Sequence, residues 1–205
     1  MPWIKSLTGL FSSIILIALS LSPALAHSFD VTLLIPLSGP QKEQGTQFLD
    51  GFMLATRERD GHPAEESDGH LGGLDVYVTA IDSAADIEQQ ISMLQTSLSN
   101  GQSNANIVAY LATPTNAQII NNSLNQSNLA LLVTGQNPFA STQMAGVEAF
   151  ISNFSSDYSY GPTDAAASGY NAARRIDIAV RAQGGASNIL QLKESFDRTN
   201  TDFIW

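Results

Sequence analysis

The sequence predicts an α/β fold in which a parallel sheet of about four strands has helices on both faces. Four runs of β-branched and other apolar residues are typical of strands in such a sheet, and they lie at residues 31–35, 74–81, 107–111 and 129–133. Each run is separated from the next by a segment with the periodicity of an amphipathic helix. Strands that alternate with helices in this way run parallel, because the helix returns the chain to the starting edge of the sheet.

The helical segments are recognised by apolar residues that share one face. The first segment spans residues 44–59, and the second follows residue 83. Their apolar faces consist of Phe48, Phe52 and Ala55 in the first and of Ile87, Ile91, Leu94 and Leu98 in the second. The polar residues 60–73, which follow the first helix, predict a loop.

Helix starts are predicted from side chains that cap backbone N–H groups. Asp82 or Ser83 would cap the second helix, with Asp86 in its first turn. Thr113 would cap the third helix, because Pro114 then takes the first helical position, where no N–H is needed.

The C-terminal part of the chain is predicted to be helical. No strand pattern appears after residue 138, and helices are expected at residues 147–158 and 163–181. A last short helix, capped by Ser187, would carry Leu190, Leu192 and Phe196.

Residues 1–26 have the features of a cleavable secretory leader. Lys5 supplies the positive charge, an apolar core follows, and Ala24-Leu25-Ala26 has the small-x-small pattern of a cleavage site. A membrane anchor is the alternative, but the strongest apolar stretch is shorter than the roughly 20 residues that cross a bilayer. We therefore expect a periplasmic or secreted protein that begins at His27.

The charge balance excludes two classes of partner. The chain carries 9 Lys and Arg against 19 Asp and Glu, and loss of Lys5 with the leader takes the net charge from −10 to −11. Such acidity disfavours binding to nucleic acid or to an anionic membrane surface. The chain has no cysteine, which excludes a disulfide framework and a lipid-modified cysteine after the leader.

Four blocks of sequence resemble the type 1 periplasmic binding proteins, in particular the Leu/Ile/Val-binding receptors of ABC transporters. They are residues 31–40 with the helix that follows, residues 71–83, residues 108–115 with 131–134, and residues 167–174. The resemblance implies a non-enzymatic periplasmic receptor without a cofactor. Its ligand would be an amino acid or a similar carboxylate, and its partner an ABC permease.

The chain departs from that family in length. Family members have two α/β lobes with the ligand between them, whereas here the fourth strand leads into the C-terminal helices with no counterpart of the second lobe. The resemblance implies a single lobe over residues 27–205, made of a βα core (27–137), a linker (138–146) and C-terminal helices (147–205). We expect a missing second lobe to uncover apolar surface that favours a homodimer or another periplasmic partner.

Ligands of open parallel sheets bind beyond the carboxyl ends of the strands. Those ends indicate six candidate residues, which are Ser38, Gln44, Thr113, Thr115, Thr134 and Gln136. In the resembled family the two later loops bind the carboxylate and amino group of an amino acid, and hydroxyls at a helix start suit a carboxylate. Gln44 stands where that family often has an aromatic ligand contact. The purely structural alternative is that Thr113 only caps its helix and Thr134 only ends its strand.

One enzymatic alternative exists. After cleavage, the amino group and imidazole of His27 could chelate copper, with His62 or His70 as the second histidine. The oxidative polysaccharide-cleaving enzymes that use such a site are β-sandwiches, which the alternation of strands and helices contradicts. We therefore expect no enzyme. The two hypotheses are a solute-binding component of a branched-chain amino acid importer, and an accessory or scaffolding protein that keeps the lobe without ligand binding.

Overall fold

One five-stranded sheet in the order β2-β3-β1-β4-β5 organises the computed structural model, which describes residues 28–61, 66–83, 86–101, 105–134, 139, 144–199 and 204–205. The strands are β1 (Ser28–Ile35), β2 (His70–Leu71), β3 (Leu74–Asp82), β4 (Ala105–Tyr110) and β5 (Ala130–Val133). The four predicted strands β1, β3, β4 and β5 run parallel, and the short β2 is antiparallel to β3. The predicted α/β class is therefore confirmed.

The described residues form six α-helices. They are α1 (Lys42–Arg57), α2 (Ile87–Ser99), α3 (Pro114–Leu124), α4 (Met144–Asp157), α5 (Asp164–Gln183) and α6 (Ile189–Arg198), and a turn of 3₁₀ helix (Gly39–Gln41) precedes α1. Helix α4 begins inside the stretch that the sequence indicates as a linker. None of these helices combines the length and the apolar character that a bilayer crossing requires.

Helices cover both faces of the sheet, as predicted. Because consecutive side chains of a strand point to opposite faces, Leu33 belongs to the core beneath α1 and α5, whereas Leu34 belongs to the core beneath α2 and α3. Helix α1 packs along α5, so that Phe48 and Phe52 are fully buried between these helices and the sheet. Helix α6 closes the same layer over β5, and α4 adds Phe150 and Phe154 to it.

Two predicted caps are wrong by a few residues. The N-cap of α2 is Asp86, whose Oδ1 accepts the Gln89 N–H at 3.1 Å, so neither Asp82 nor Ser83 caps this helix. The reason is that β3 extends through Asp82, which takes Ser83 out of reach of the helix start. The N-cap of α6 is Asn188 and not Ser187, with its Oδ1 3.2 Å from the Gln191 N.

The loop predicted for residues 60–73 contains the short strand β2. It folds back on β3 through Gly72 and Gly73, whose φ angles of 67° and 84° lie in the left-handed region that favours glycine. The buried carboxylate of Asp177 on α5 accepts the Gly72 N–H at 2.8 Å, so the turn is held from the far end of the chain. On the last helix, Leu190 is 73% exposed, whereas Leu192 and Phe196 are buried.

Candidate ligand-binding edge of the sheet

The direction of the chain reverses at β1. Strand β3 lies on one side of β1 and β4 on the other, so the connections α1 and α2 leave the carboxyl ends of β1 and β3 towards opposite faces. In open α/β sheets such a reversal leaves a crevice beyond the carboxyl ends of the two central strands. This rule places the crevice of the present sheet between the loop after β1 and the loop after β4.

Hydrogen bonds fix the loops that border this crevice. The Asp82 carboxylate at the end of β3 accepts the Leu37 N–H at 2.8 Å, and the Ser83 N–H donates to the Ile35 carbonyl at 2.8 Å. On the other side of β1, the Leu111 N–H donates to the Leu34 carbonyl at 3.0 Å. The loops after β1, β3 and β4 are therefore tied together and hold their side chains in place.

The first turn of α1 presses directly on the loop after β1. A Cβ atom on Gly45 would lie 1.8 Å from the Pro36 carbonyl oxygen, so only glycine permits this approach. Ser38 and Gln44 consequently lie at the same edge of the sheet, and both are exposed.

Thr113 caps α3 as predicted. Its Oγ1 accepts the Asn116 N–H at 3.3 Å, and Pro114 takes the first helical position. The Asn116 side-chain amide in turn donates to the Ser83 carbonyl at 3.3 Å, which ties the start of α3 to the loop after β3. The cap occupies the Thr113 oxygen as an acceptor and leaves its O–H hydrogen as a donor.

The backbone donors at the start of α3 can be assigned one by one. Pro114 has no N–H, Asn116 donates to the Thr113 side chain, and Ala117 donates to the Thr113 carbonyl at 2.8 Å. The Thr115 N–H therefore remains as the donor without an intrahelical partner. The Thr115 side chain is exposed beside it.

Thr134 follows β5 at the same edge. Val133, the residue before it, is in register with Tyr110 at the end of β4, so Thr134 and the Thr113 loop leave neighbouring strands. Thr113 and Thr134 are both half-buried. The sixth candidate, Gln136, lies outside the described residues.

Tyr110 anchors the end of β4 beneath this edge. Its side chain is 1% exposed, and its hydroxyl donates to Asn121 Oδ1 at 3.0 Å, which joins β4 to α3. Burial raises the pKa of the Tyr110 hydroxyl, and the hydrogen bond with Asn121 partly opposes that rise. The phenol therefore acts as a neutral structural group.

The carboxyl edge is polar and open. The exposed large apolar side chains of the described residues are Tyr77, Met93, Ile151, Ile178 and Leu190. None of them belongs to the described residues of the loops at this edge, so the described residues there show no exposed large apolar side chain of the kind that the sequence leads us to expect. Ser38, Gln44 and Thr115 face solvent instead.

The cavity of about 780 Å³ in the described part of the chain lies at the opposite edge of the sheet. It opens between the ends of α2 and α3 and the amino ends of β4 and β5, with Gln95, Asn106 and Asn128 among its lining residues. Its lining residues include no charged side chain. Because helix carboxyl ends carry partial negative charge, this cavity suits a carboxylate less well than the start of α3 does.

Sequence reasoning missed Asp82 and Asn116 as residues that build the edge. Asp82 was assigned to a helix cap because it precedes an amphipathic segment, and Asn116 carries no motif. The available signal was only the position of Asp82 directly after a predicted strand, because its partner Leu37 lies in the loop after β1, which is remote in sequence.

The histidines give no support to a copper site. Both ring nitrogens of His70 contact carboxylates, with Nδ1 3.1 Å from Asp60 Oδ1 and Nε2 2.9 Å from Asp75 Oδ1. His27 and His62 lie outside the described residues. Within the described ranges, no three or more His, Asp or Glu side chains come together as metal ligands.

No protein-family model matches the sequence, and no curated protein sequence matches it. Solved structures of solute-binding proteins do match the fold. An ABC transporter substrate-binding protein from Sphaerobacter thermophilus is 13% identical with a TM-score of 0.64, and the match covers 82% of this chain and 85% of that one.

Two further structures extend the comparison. A leucine-binding protein from Thermotoga maritima is 10% identical with a TM-score of 0.56, over 83% of this chain and 87% of that one. A solute-binding protein from Rhodopseudomonas palustris in complex with 3,4-dihydroxybenzoic acid is 10% identical with a TM-score of 0.53, over 81% and 84%. At these identities the likeness shows the fold alone.

Proposed function

We propose that this chain is the solute-recognition component of an ABC import system, and that it binds a small carboxylate at the carboxyl edge of its sheet. The leading ligand class is the branched-chain amino acids. The chain would act in the periplasm as a single lobe over residues 27–205, after loss of the leader 1–26. An ABC permease would be its membrane partner.

The observation that carries the proposal is the set of donors around the start of α3. The Thr115 N–H has no intrahelical partner, the Thr113 O–H hydrogen remains after capping, and Thr134 adds a second hydroxyl from the next strand. These donors lie at the amino end of a helix and beside the crevice, where a carboxylate is stabilised by hydrogen bonds and by the helix dipole.

The fold neighbours support the same ligand chemistry. One of them is named as a leucine-binding protein, and another holds 3,4-dihydroxybenzoic acid. An amino acid and a benzoic acid share a carboxylate and differ in the rest of the molecule. A site whose charge recognition depends on hydroxyls and one backbone N–H is compatible with either.

Binding by this lobe alone should be weak. Ser38, Gln44 and Thr115 are exposed, so a ligand at the edge keeps much of its hydration. Each hydrogen bond in such a setting contributes about 1 kcal/mol net. Without the several contacts that a second lobe would supply, the dissociation constant should rise from the micromolar towards the millimolar range.

The proposal is tested by calorimetry of the protein with Leu, Ile, Val, benzoate and 3,4-dihydroxybenzoate. A ligand that binds should lose most of its affinity for the Thr113→Val/Thr134→Val variant, which removes both hydroxyls at constant shape. Thr96→Val is the matched control, because Thr96 lies exposed on α2 and donates only to its own helix at Ser92. Equal binding by the double variant would place the site elsewhere.

The alternative is an accessory or scaffolding role without a ligand. The open edge favours it, because cavities of about 780, 350 and 320 Å³ among the described residues lie away from Thr113 and Thr134. The absence of any binding in the calorimetric panel would support this role. Neighbouring genes for a permease and an ATPase would favour transport.

A further inference from the structure

The layer formed by α2 and α3 leaves one strand uncovered. Along β3, the side chains on this face are those of Tyr77, Thr79 and Ile81, since alternate residues share a face. Tyr77 is 42% exposed and Thr79 is also exposed, whereas Val76, on the opposite face, is fully buried. A strip of the sheet that contains Tyr77 and Thr79 therefore faces solvent beside α2, with Ile81 half-buried next to it.

A groove of about 350 Å³ runs along this strip. Its floor is formed by Asp30 and Thr32 of β1 with Thr79 and Ile81 of β3, and its wall by α2 residues including Met93. Met93 is 57% exposed, although it projects from the side of α2 that borders the sheet. The volume of the groove is enough for a few large side chains. The groove lies above the sheet, in the place that a helix packed beside α2 would take.

Two carboxylates lie near the groove. Asp30 lines it near the amino end of β1, and Asp86, the exposed N-cap of α2, lies about one helical turn before the lining residue Gln90. From Asp86 to Ser97 the helix rises about 16 Å, which is about three turns. The open groove thus combines the apolar side chains of Ile81 and Met93 with the Asp30 carboxylate, and the exposed Asp86 carboxylate lies beyond its lining at the start of α2.

Among the described residues, no Lys or Arg belongs to this face. The sequence has no Lys or Arg between Arg59 and Arg174, and β1 has none either. Every described strand, together with α2 and α3, is therefore free of Lys and Arg. The described Lys and Arg residues all belong to α1, α5, α6 and the turn after α1.

We propose that the groove between α2 and β3 is a docking site for a basic amphipathic helix of a partner protein. The apolar stripe of that helix would cover Tyr77, Ile81 and Met93, and its Lys or Arg side chains would pair with Asp30 and Asp86. The docked helix would complete the layer beside α2, at the spacing of about 8–10 Å at which helices pack.

The negative charges near the groove disfavour its occupation by a second copy of the chain. A two-fold dimer through the groove would bring Asp30 and Asp86 of both copies together without a cation to separate them. Like charges facing each other across an interface oppose association. A partner helix with positive charge on one face would instead be attracted to Asp30 and Asp86.

The test uses three synthetic peptides of 18 or more residues and the full chain. The first peptide is a Leu/Lys/Ala helix with a Leu stripe, the second replaces Lys with Glu, and the third scrambles the first so that the stripe is lost at equal charge. Calorimetry at low and high salt measures binding. We expect the first peptide to bind, more weakly in high salt, and the other two to bind at least about tenfold more weakly.

Variants locate the site. Met93→Lys, and separately Asp30→Asn with Asp86→Asn, should each weaken binding of the striped basic peptide by about tenfold. Asn is an equally good N-cap, so the start of α2 is preserved. Leu190→Lys is the matched control on α6, where a 73% exposed Leu lies on the other face; it should change binding less than about twofold.

The proposal would be overturned if the striped basic peptide failed to bind, or if the scrambled peptide bound equally well. It would also be overturned if Leu190→Lys weakened binding as much as Met93→Lys does. A fourth contradicting result would be a dimer of the protein alone, seen in light scattering, that Met93→Lys separates into monomers. The last result would assign the groove to a second copy of the chain.

Discussion

Gly51 of α1 lies against Ala166 of α5 so closely that a Cβ atom on Gly51 would be 1.8 Å from the Ala166 carbonyl oxygen. The contact is reciprocal, because a Cβ on Gly169 of α5 would be 1.9 Å from the Phe48 carbonyl oxygen of α1. The two helices therefore meet backbone to backbone at these points, and this approach seals Phe48 and Phe52 beneath them.

Gly51→Ala should destabilise the protein by about 3 kcal/mol, because the added methyl group must separate α1 from α5. Gly161→Ala is the matched control, since nothing lies within 4 Å of a Cβ at that position. Urea unfolding measures both variants. A Gly51→Ala variant with the midpoint of the wild type would show that the helices do not touch as described.

Substitutions of Thr113 should separate capping from binding. Thr113→Asp keeps an acceptor for the Asn116 N–H and suits the helix dipole, so thermal stability should change little. Thr113→Val loses the cap and should cost about 1 kcal/mol. The two variants should rank differently in their affinity for a carboxylate ligand. The negative charge of Thr113→Asp should abolish binding, whereas Thr113→Val should only weaken it. Calorimetry showing wild-type binding by Thr113→Asp would contradict the proposed site.

Asp82 should control the order of the loop after β1. Asp82→Ala removes the acceptor of the Leu37 N–H and should destabilise the protein by about 2 kcal/mol, whereas Asp82→Asn keeps an oxygen in place. Hydrogen exchange of the Leu37 amide reports the effect directly. Its rate should rise in Asp82→Ala and remain close to wild type in Asp82→Asn.

Two tyrosines should resist ionisation in alkali. The Tyr170 hydroxyl donates to Glu58 Oε2 and the Tyr160 hydroxyl to Asp50 Oδ2, each at 2.6 Å. Burial first, and then these carboxylates, raise the pKa of both phenols well above the usual value. Their contribution to stability is complete below about pH 10, the pKa of an unfolded tyrosine, and is lost as the pH rises through the higher native pKa.

Phenolate absorbance of the native protein checks this expectation. Of the 5 tyrosines in the chain, Tyr160 and Tyr170 should be among the late phenols, together with Tyr110 and Tyr158, whose pKa is also raised by burial. Tyr170→Phe should remove one of the late phenols and leave the early part of the titration unchanged. Ionisation of all phenols together near pH 10 in a folded protein would contradict the two hydrogen bonds.

Cleavage after Ala26 remains a prediction from the leader pattern. Mass spectrometry of the exported protein should give a chain that starts at His27. A product that retains Met1, or that stays with the membrane through its apolar N-terminal segment, would refute it.

The parts of the fold that depend on local signals could be predicted from the sequence. Thr113-Pro114 marks the start of α3 because a capping hydroxyl and a proline act within one turn. The strand β2 could not be predicted, because two residues carry no periodicity and the Gly72 turn is held by Asp177, which is remote in sequence. Leu190 shows the same limit, since burial on a short helix depends on its rotation against β5 and α5.

The candidate site was predictable to a similar extent. Strand ends indicated Thr113 and Thr134, because parallel strands place such residues at one edge. Asp82 and Asn116 were missed, since their partners Leu37 and Ser83 belong to other loops and the contacts exist only in the folded chain. The uncovered groove beside α2 was also invisible, because a sequence does not show which strand lacks a covering helix.

The packing of α1 on α5 has a consequence for the order in which the chain can fold. Residues 42–57 are synthesised early and residues 164–183 late, yet each of the two helices covers the apolar face of the other. The core beneath α1 consequently cannot close until most of the polypeptide is present, and the many intervening residues make this a contact of long sequence separation. Folding of this chain is therefore expected to be a late, concerted event that requires both α1 and α5.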